Sequence, residues 1–163
     1  NGEKIFLLER TFLNEFYTSL SFDHLLEFDN TISRKSTIKT KNNHVSFWSV
    51  SADRRQFKRI AHFTLNLSLF QSLEIFDVGY TGIEKFPIFP QSIKEISIRD
   101  CENIQIPDDL THLKNLEVFR ATNCRIKKFP KLPQSIKVIN IQANNLSIEE
   151  KQIIKKEYPN AKI

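Results

Sequence analysis

Hydrophobic residues recur in the same order four times between residues 73 and 146. Each copy has apolar side chains at its first, fourth and sixth positions and a Thr, Cys or Asn at its ninth. The copies begin at Leu73, Ile93, Leu116 and Ile136, so two short steps (73 to 93 and 116 to 136) flank one long step (93 to 116). Alternation of apolar positions predicts short strands, and a near-constant period predicts a repeat architecture. We expect four parallel strands near residues 76–78, 96–98, 119–121 and 139–141.

One phrase also occurs twice between the predicted strands. Residues 86–96 are FPIFPQSIKEI and residues 129–139 are FPKLPQSIKVI. Two prolines this close together leave no room for a helix in the short steps. The long step instead has Leu110, Leu113 and Leu116, a spacing that predicts a helical turn.

The chain before the four copies is less regular. Val45, Trp48 and Val50 have the spacing of a strand and predict a first, irregular copy from about residue 45. A basic insertion then follows, with Arg54, Arg55, Lys58 and Arg59. Apolar residues at i, i+4 spacing predict an amphipathic helix over residues 3–20. Residues 29–43 are polar and fit either a linker or a capping hairpin.

The C-terminal end has the features of a capping helix. Ser147 is followed three residues later by Glu150, the spacing of a capping box. Acidic residues open the helix and Lys155 and Lys156 lie near its end, as the helix dipole favours. Residues 161–163 could add a last short strand.

These patterns resemble leucine-rich-repeat proteins over about residues 45–163. The FPxxPQSIK phrases resemble the LPxLPxSLK repeats of bacterial secreted effectors, and the ending from Asn144 to Ile163 resembles the C-terminal cap of bacterial leucine-rich-repeat proteins. The resemblance implies an α/β fold: a leucine-rich-repeat solenoid with a curved parallel β-sheet, an N-terminal helical cap and a C-terminal capping helix. We expect a cap and linker at 1–43 and repeats with the C-terminal cap at 44–163.

The resemblance also implies function: a concave sheet face that binds another macromolecule. Some effectors of that group carry a separate ubiquitin-ligase domain with a catalytic Cys, which nothing in this chain matches. We expect a protein–protein interaction module without enzymatic activity, effector-like or acting on a host protein. A third interpretation is the recognition fragment of a larger enzyme such as a ubiquitin ligase.

Side chains between the buried strand positions project from the other face of the sheet and form columns across the copies. Tyr and Arg are enriched at the energetic centres of protein interfaces. The candidate partner-binding residues share this face and are Asp77, Tyr80, Arg99, Asp100, Arg120, Asn123, Asn140 and Gln142. The alternative for each is an ordinary solvated position.

Charge suggests a second class of function. The formal net charge is +5, and basic clusters at residues 54–59 and 125–131 could bind nucleic acid or another acidic ligand. The excess is modest, and most of the second cluster follows the predicted strand on its turn side. Nucleic acid is therefore the alternative partner and a protein the expected one.

No recognised catalytic or metal-binding spacing occurs in the sequence. The two cysteines, Cys101 and Cys124, occupy the ninth position of adjacent copies, where Asn is usual. We expect buried, reduced thiols; a disulfide, a metal pair and a catalytic thiol are the alternatives. The four histidines are scattered, and no cofactor is expected.

The composition fits one domain able to build a core, since 163 residues are 40% hydrophobic and 26% charged. No apolar run approaches the length of roughly 18 residues that a membrane span needs. The chain begins at Asn1 and has no Met, so we expect a trimmed start, which leaves secreted and cytoplasmic locations both open. A monomer is expected.

Overall fold

The computed structural model describes position 11 and residues 36–41, 44–51, 66–80 and 83–163. The rest of the helix predicted over residues 3–20 and the basic insertion at 54–59 lie outside the described residues. Thr11 is helical. From residue 36 onward, the described residues form a six-stranded sheet and a helix in chain order: β1 (Ser36–Lys41), β2 (His44–Ser51), β3 (Ile75–Gly79), β4 (Glu95–Arg99), β5 (Val118–Thr122), β6 (Val138–Asn140) and α1 (Ile148–Glu157).

The strands lie in the sheet in the order of the sequence. β1 and β2 are antiparallel, with an irregularity between Lys39 and Thr40, and every pair from β2 to β6 is parallel. The prediction of four parallel strands is thereby confirmed. Of the two alternatives for residues 29–43, the part that is described forms one strand of a hairpin.

The register joins equivalent positions of successive copies. Phe76 pairs with Ile96, Ile96 with Phe119, and Phe119 with Ile139. Fourth positions therefore stack on fourth positions, at the spacing of about 4.8 Å between neighbouring strands. The short and long steps predicted from the sequence are the offsets of this pairing.

The repeated PQSI phrase has a structural cause. The Ser92 hydroxyl donates to the Leu73 carbonyl at 2.8 Å, and the Ser135 hydroxyl donates to the Leu116 carbonyl at 2.7 Å. In the intervening copy the Asn115 amide donates to the Gln91 carbonyl at 2.8 Å. One short polar side chain per copy thus ties each turn to the copy before it.

The long step between copies is not helical. Leu113 N–H donates to the Leu110 carbonyl and Leu116 N–H to the Leu113 carbonyl, both at 3.0 Å. These are i, i+3 bonds of two successive turns, and the prediction of a helical turn there is wrong. The three leucines are buried all the same, because a turn closed every three residues also returns each of them to one side.

The core lies between the inner sheet face and these turn segments. Aromatic rings fill the end nearer β2, where Phe76 contacts Trp48 and Phe89 edge to face at centroid distances of 5.7 and 5.3 Å. Further along, Phe129 contacts Phe119 and Tyr158. The other fully enclosed apolar side chains include Leu67, Phe70, Leu73, Ile83, Ile93, Ile96, Ile98, Leu110, Leu113, Leu116, Ala121, Ile139 and Ile154.

The side chain at the ninth position of the later copies forms hydrogen bonds with backbone groups just after the strand ends. Asn144 accepts from Cys124 N–H at 2.9 Å and Ile126 N–H at 3.1 Å, and its amide donates to three carbonyls, including that of Gln142 at 3.3 Å. Cys101 and Cys124 each donate their thiol to the carbonyl two residues earlier, at 3.4 and 3.3 Å. A Cys at this position therefore donates a hydrogen bond to a carbonyl, as the Asn144 amide does.

Helix α1 follows the last strand and lies at the β6 end. Ser147 caps it by accepting from Glu150 N–H, as the capping box predicts. The buried Tyr158 hydroxyl accepts from Leu132 N–H at 2.7 Å and lies 3.2 Å from the Leu132 carbonyl. Burial raises the pKa of Tyr158. The predicted last strand is a single bridge between Lys162 and Val138.

We expect Asn144→Ala to lower the free energy of unfolding by about 2 kcal/mol, because it leaves partly buried backbone donors without acceptors. Asn144→Cys should cost less, since a thiol restores the bond that Cys101 and Cys124 make. Urea unfolding followed by circular dichroism measures both. The neighbouring exposed Asn145 uses its backbone N–H to bond Ile126, so Asn145→Ala is the matched control. Equal losses at the two positions would contradict the role given to Asn144.

Candidate functional site

The candidate site is the face of the sheet that points away from the core. On β3, Phe76 and Val78 are buried while Ile75 and Asp77 beside them stay partly exposed. Strand register carries this alternation across the sheet, so that position 77 aligns with 97, 120 and 140, and position 79 with 99 and 122. The columns predicted from the sequence are therefore present. The candidate residues lie on this face or directly after its strands.

Asp77 and Arg99 form an ion pair between adjacent strands. Arg99 Nη2 lies 3.2 Å from Asp77 Oδ2, and the Ser49 hydroxyl lies 3.4 Å from the same oxygen. Arg99 is in register with Gly79. A Cβ atom at Gly79 would lie 3.8 Å from Arg99 Nε, so the arginine side chain passes directly over this glycine to reach Asp77.

Arg120 and Glu95 repeat that geometry one strand further on. Arg120 is in register with Ser97, and its guanidinium forms an ion pair with Glu95, two residues before Ser97. Ser97 is only 7% exposed although it lies on the outer face. Small residues at 79 and 97 thus lie opposite both arginines, and both pairs run along the same diagonal.

Glu95 is a residue that the sequence interpretation missed as part of the site. It aligns with the apolar Ile75 and Val118, and its position in the column gave no hint of a charge partner. The predicted register already contained the signal. On the preceding strand, Glu95 lies two residues before Ser97, the residue opposite Arg120. In the same way, Asp77 lies two residues before Gly79, the residue opposite Arg99.

The strand ends carry an unusual backbone conformation. Tyr80, Asp100, Asn123 and Ala143 occupy equivalent positions after the strands, and their φ angles lie between 53° and 55°. The first three donate their N–H to a carbonyl of the next copy at 2.9–3.0 Å. Left-handed backbone is unfavourable for residues other than Gly, and Asn and Asp tolerate it best. A bulky Tyr at position 80 is therefore the costliest member of this row.

The remaining candidate residues form a polar row at the same end. Asn123 Nδ2 donates to Asp100 Oδ1 at 2.7 Å. Asn140 Oδ1 accepts from Gln142 N–H at 3.2 Å, and Gln142 is exposed. Asp77 with Arg99 and Asp100 with Asn123 thus bond through their side chains, while Gln142 bonds Asn140 through its backbone N–H.

The opposite end of the face is mostly apolar. Phe47, Ile75, Val118 and Val138 align along it with Glu95 among them, and all are partly exposed. A ligand lying along the strand direction would therefore meet a mostly hydrophobic row, then the two arginines with their carboxylate partners, then the polar row.

The basic cluster at 125–131 lies on the turn side of the molecule and is matched by acidic side chains. Lys128 Nζ lies 2.8 Å from Asp108 Oδ2, and this carboxylate raises the pKa of Lys128. Arg125 forms an ion pair with Glu102. Hydrogen bonds from Thr111 lower the pKa of Asp109, and the nearby Lys131 adds to the effect.

An open groove of about 350 Å³ separates this cluster from α1. Acidic, basic and apolar side chains line it together, and the lining residues are Asp108, Asp109, Lys128, Phe129, Pro130, Lys131, Glu150, Ile153, Ile154 and Glu157. None of the predicted partner-binding residues contributes to it.

The thiols are buried and free of disulfides. Burial raises the pKa of Cys124 to about 12, the opposite of the shift that makes a nucleophilic cysteine. Among the described residues, no cluster of His, Cys, Asp and Glu could hold a metal ion. No helix in the described part of the chain has the length and apolar character needed to cross a membrane. His24 and His62 lie outside the described residues.

Comparisons with protein-family models, curated proteins and solved structures gave no match to this chain.

We expect both thiols to stay unlabelled by Ellman's reagent at pH 8 in the folded protein and to react once the chain is unfolded in guanidinium. Burial keeps Cys124 protonated well above the pH at which a free thiol ionises. As the folded pKa is the higher one, the associated stability is present below about pH 9 and is lost as the pH rises towards 12. Rapid labelling without denaturant would contradict this.

Proposed function

We propose that this chain is a leucine-rich-repeat solenoid that binds a protein partner on its exposed, concave sheet face. The observation that carries the proposal is the alignment of polar, charged and aromatic side chains into one continuous surface over β3 to β6 and their C-terminal ends. Their mutual hydrogen bonds support the proposal, because side chains already held in place lose little conformational entropy on binding.

The solenoid part of the proposal is supported by the offsets between strands. Sequential parallel pairing joins Phe76 to Ile96, Phe119 and Ile139 in turn, and these offsets fall in the range of about 20–29 residues for leucine-rich repeats. Further support comes from the ninth position, where Asn144 and the two cysteines bond backbone after the strands. In this proposal α1 caps one end of the stack, and the effector-like character follows from the resemblance alone.

Charge balance favours a protein partner over nucleic acid. Over β3 to β6 and the residues directly after these strands, Asp77, Glu95 and Asp100 accompany Arg99 and Arg120, so the charges of this part of the face nearly cancel. A surface that binds phosphates instead presents an excess of cations. The turn-side cluster, which is the alternative site, already has carboxylates beside Arg125 and Lys128.

A binding module without catalytic activity is the proposed class. Buried thiols with a raised pKa at Cys124 support it, as does a candidate face whose charged groups are paired with one another. Recognition by part of a larger enzyme would use the same face.

We expect Tyr80→Ala and Arg120→Ala each to weaken partner binding by about 1–2 kcal/mol, since central Tyr and Arg residues carry much of the energy of interfaces. Lys127→Glu with Lys128→Glu should change binding little, because both lie on the turn side. The measurement is affinity capture with each variant as bait, followed by titration of the captured protein, with melting curves as the folding control. Binding lost only in the lysine variant would favour the electrostatic alternative.

A photo-crosslinking amino acid locates the contact independently. Gln142 on the sheet face and Gln152 on α1 are both exposed glutamines, so they form a matched pair of sites. Crosslinks to the partner from position 142 and none from position 152 are expected. The reverse result would place the interface on the helix and refute the proposed face.

A further inference from the structure

We infer that Asp77 and Glu95 are specificity-determining residues that exclude polyanions from the sheet face by occupying its two arginines. The inference rests on the proposed function, because it concerns which partners that face accepts. The expected partner then presents a surface of mixed or no net charge to this face, and nucleic acids and acidic glycans are poor ligands for it.

The geometry supports this because the two ion pairs are built in the same way. Each arginine stands opposite a small residue, Gly79 or Ser97, and reaches the carboxylate two positions before it on the preceding strand. A Cβ at Gly79 would already touch Arg99 at van der Waals distance, 3.7 Å from its Cβ, and Ser97 opposite Arg120 is 7% exposed. The arrangement therefore depends on several positions at once, rather than on the chance meeting of two flexible side chains.

The arginines are nevertheless accessible. The Arg99 and Arg120 side chains are 50% and 36% exposed, while Asp77 and Glu95 are 24% and 28% exposed. A phosphate approaching the face would reach the guanidinium groups, but it would meet a carboxylate beside each one. Removal of both carboxylates would leave two neighbouring cations on adjacent strands, which is the arrangement that a polyanion binds.

Other charges near this face do not supply the same effect. Glu74, Lys94, Glu117 and Lys137 align in alternating sign just before the strands, where Lys94 pairs with Glu74 and Lys137 with Glu117. That row is neutral in total. Asp100, at the far end, bonds to the amide of Asn123 rather than to an arginine. Over the described strands β3 to β6, the two diagonal pairs are thus the charges that set the response of the face to anions.

The test compares the full chain with its Asp77→Asn/Glu95→Gln variant, using a fluorescein-labelled oligothymidylate as the probe and anisotropy as the readout. The variant should bind more tightly at low salt. Its slope of log affinity against log salt should steepen by about 1.4, since each added phosphate contact on single strands contributes about 0.7. Melting curves establish that both proteins are folded.

Two controls separate the site from net charge. Glu149→Gln/Glu157→Gln makes the same change in charge on α1, away from the face, and should steepen the slope much less. Adding Arg99→Gln and Arg120→Gln to the face variant should abolish the gain. An unchanged slope in the face variant, an equal gain in the α1 variant, or a gain that survives loss of the arginines would each overturn the inference.

The result does not depend on the identity of the protein partner. If the face variant gains no affinity for the oligonucleotide, the exclusion role fails while the Tyr80 and Arg120 experiment remains a separate test of the proposed function. If Tyr80→Ala and Arg120→Ala do not weaken partner binding but the oligonucleotide binds the face variant as expected, the exclusion role stands and the protein-binding function of the face is refuted.

Discussion

In-register parallel pairing is the constraint on which the rest of this structure depends. Each strand from β3 to β6 lies beside an equivalent strand at about 4.8 Å, so every side chain has the same position of the next copy as its neighbour. Apolar residues tolerate this arrangement and build the core. Charged residues tolerate it only when their signs alternate, as they do from Glu74 to Lys137, or when they reach diagonally, as Arg99 and Arg120 do.

The same constraint explains why polar side chains replace regular secondary structure between the strands. The two short segments between copies each hold two closely spaced prolines, and the longer one forms turns at residues 110–116. Without helices, the backbone groups of these segments need other partners. Ser92, Asn115 and Ser135 each bond a carbonyl of the preceding copy, and Asn144 serves five backbone groups at the last ninth position. Stability is thus distributed over contacts between neighbours, as the proposed stack of repeats requires.

The proposed site follows from this architecture. A face made of aligned columns is continuous. The ion pairs on it offer hydrogen-bonding groups to a partner, while their opposite charges keep the net electrostatic potential low. Such a surface discriminates by shape and by local charge pattern. In this proposal Asp77 and Glu95 act on specificity by excluding polyanions, while Tyr80, Arg120 and the polar row supply the contacts with the partner.

The sequence by itself determined the four strands β3 to β6, their parallel order and the columns, because apolar spacing at a near-constant period leaves a single register that buries every core position. It also determined the N-cap at Ser147 and the buried thiols, which follow from local spacing and frame position. The partners of the charged residues were decided only by the tertiary structure. Glu95 meets Arg120 through a diagonal between adjacent strands that are distant in the sequence, and the left-handed backbone at Tyr80 accompanies its bond to the next copy. The turns at 110–116 were likewise decided by the tertiary structure. The leucine spacing specifies which side of this segment is buried. The path of its backbone depends on the neighbouring copies with which its hydrogen-bonding groups can pair.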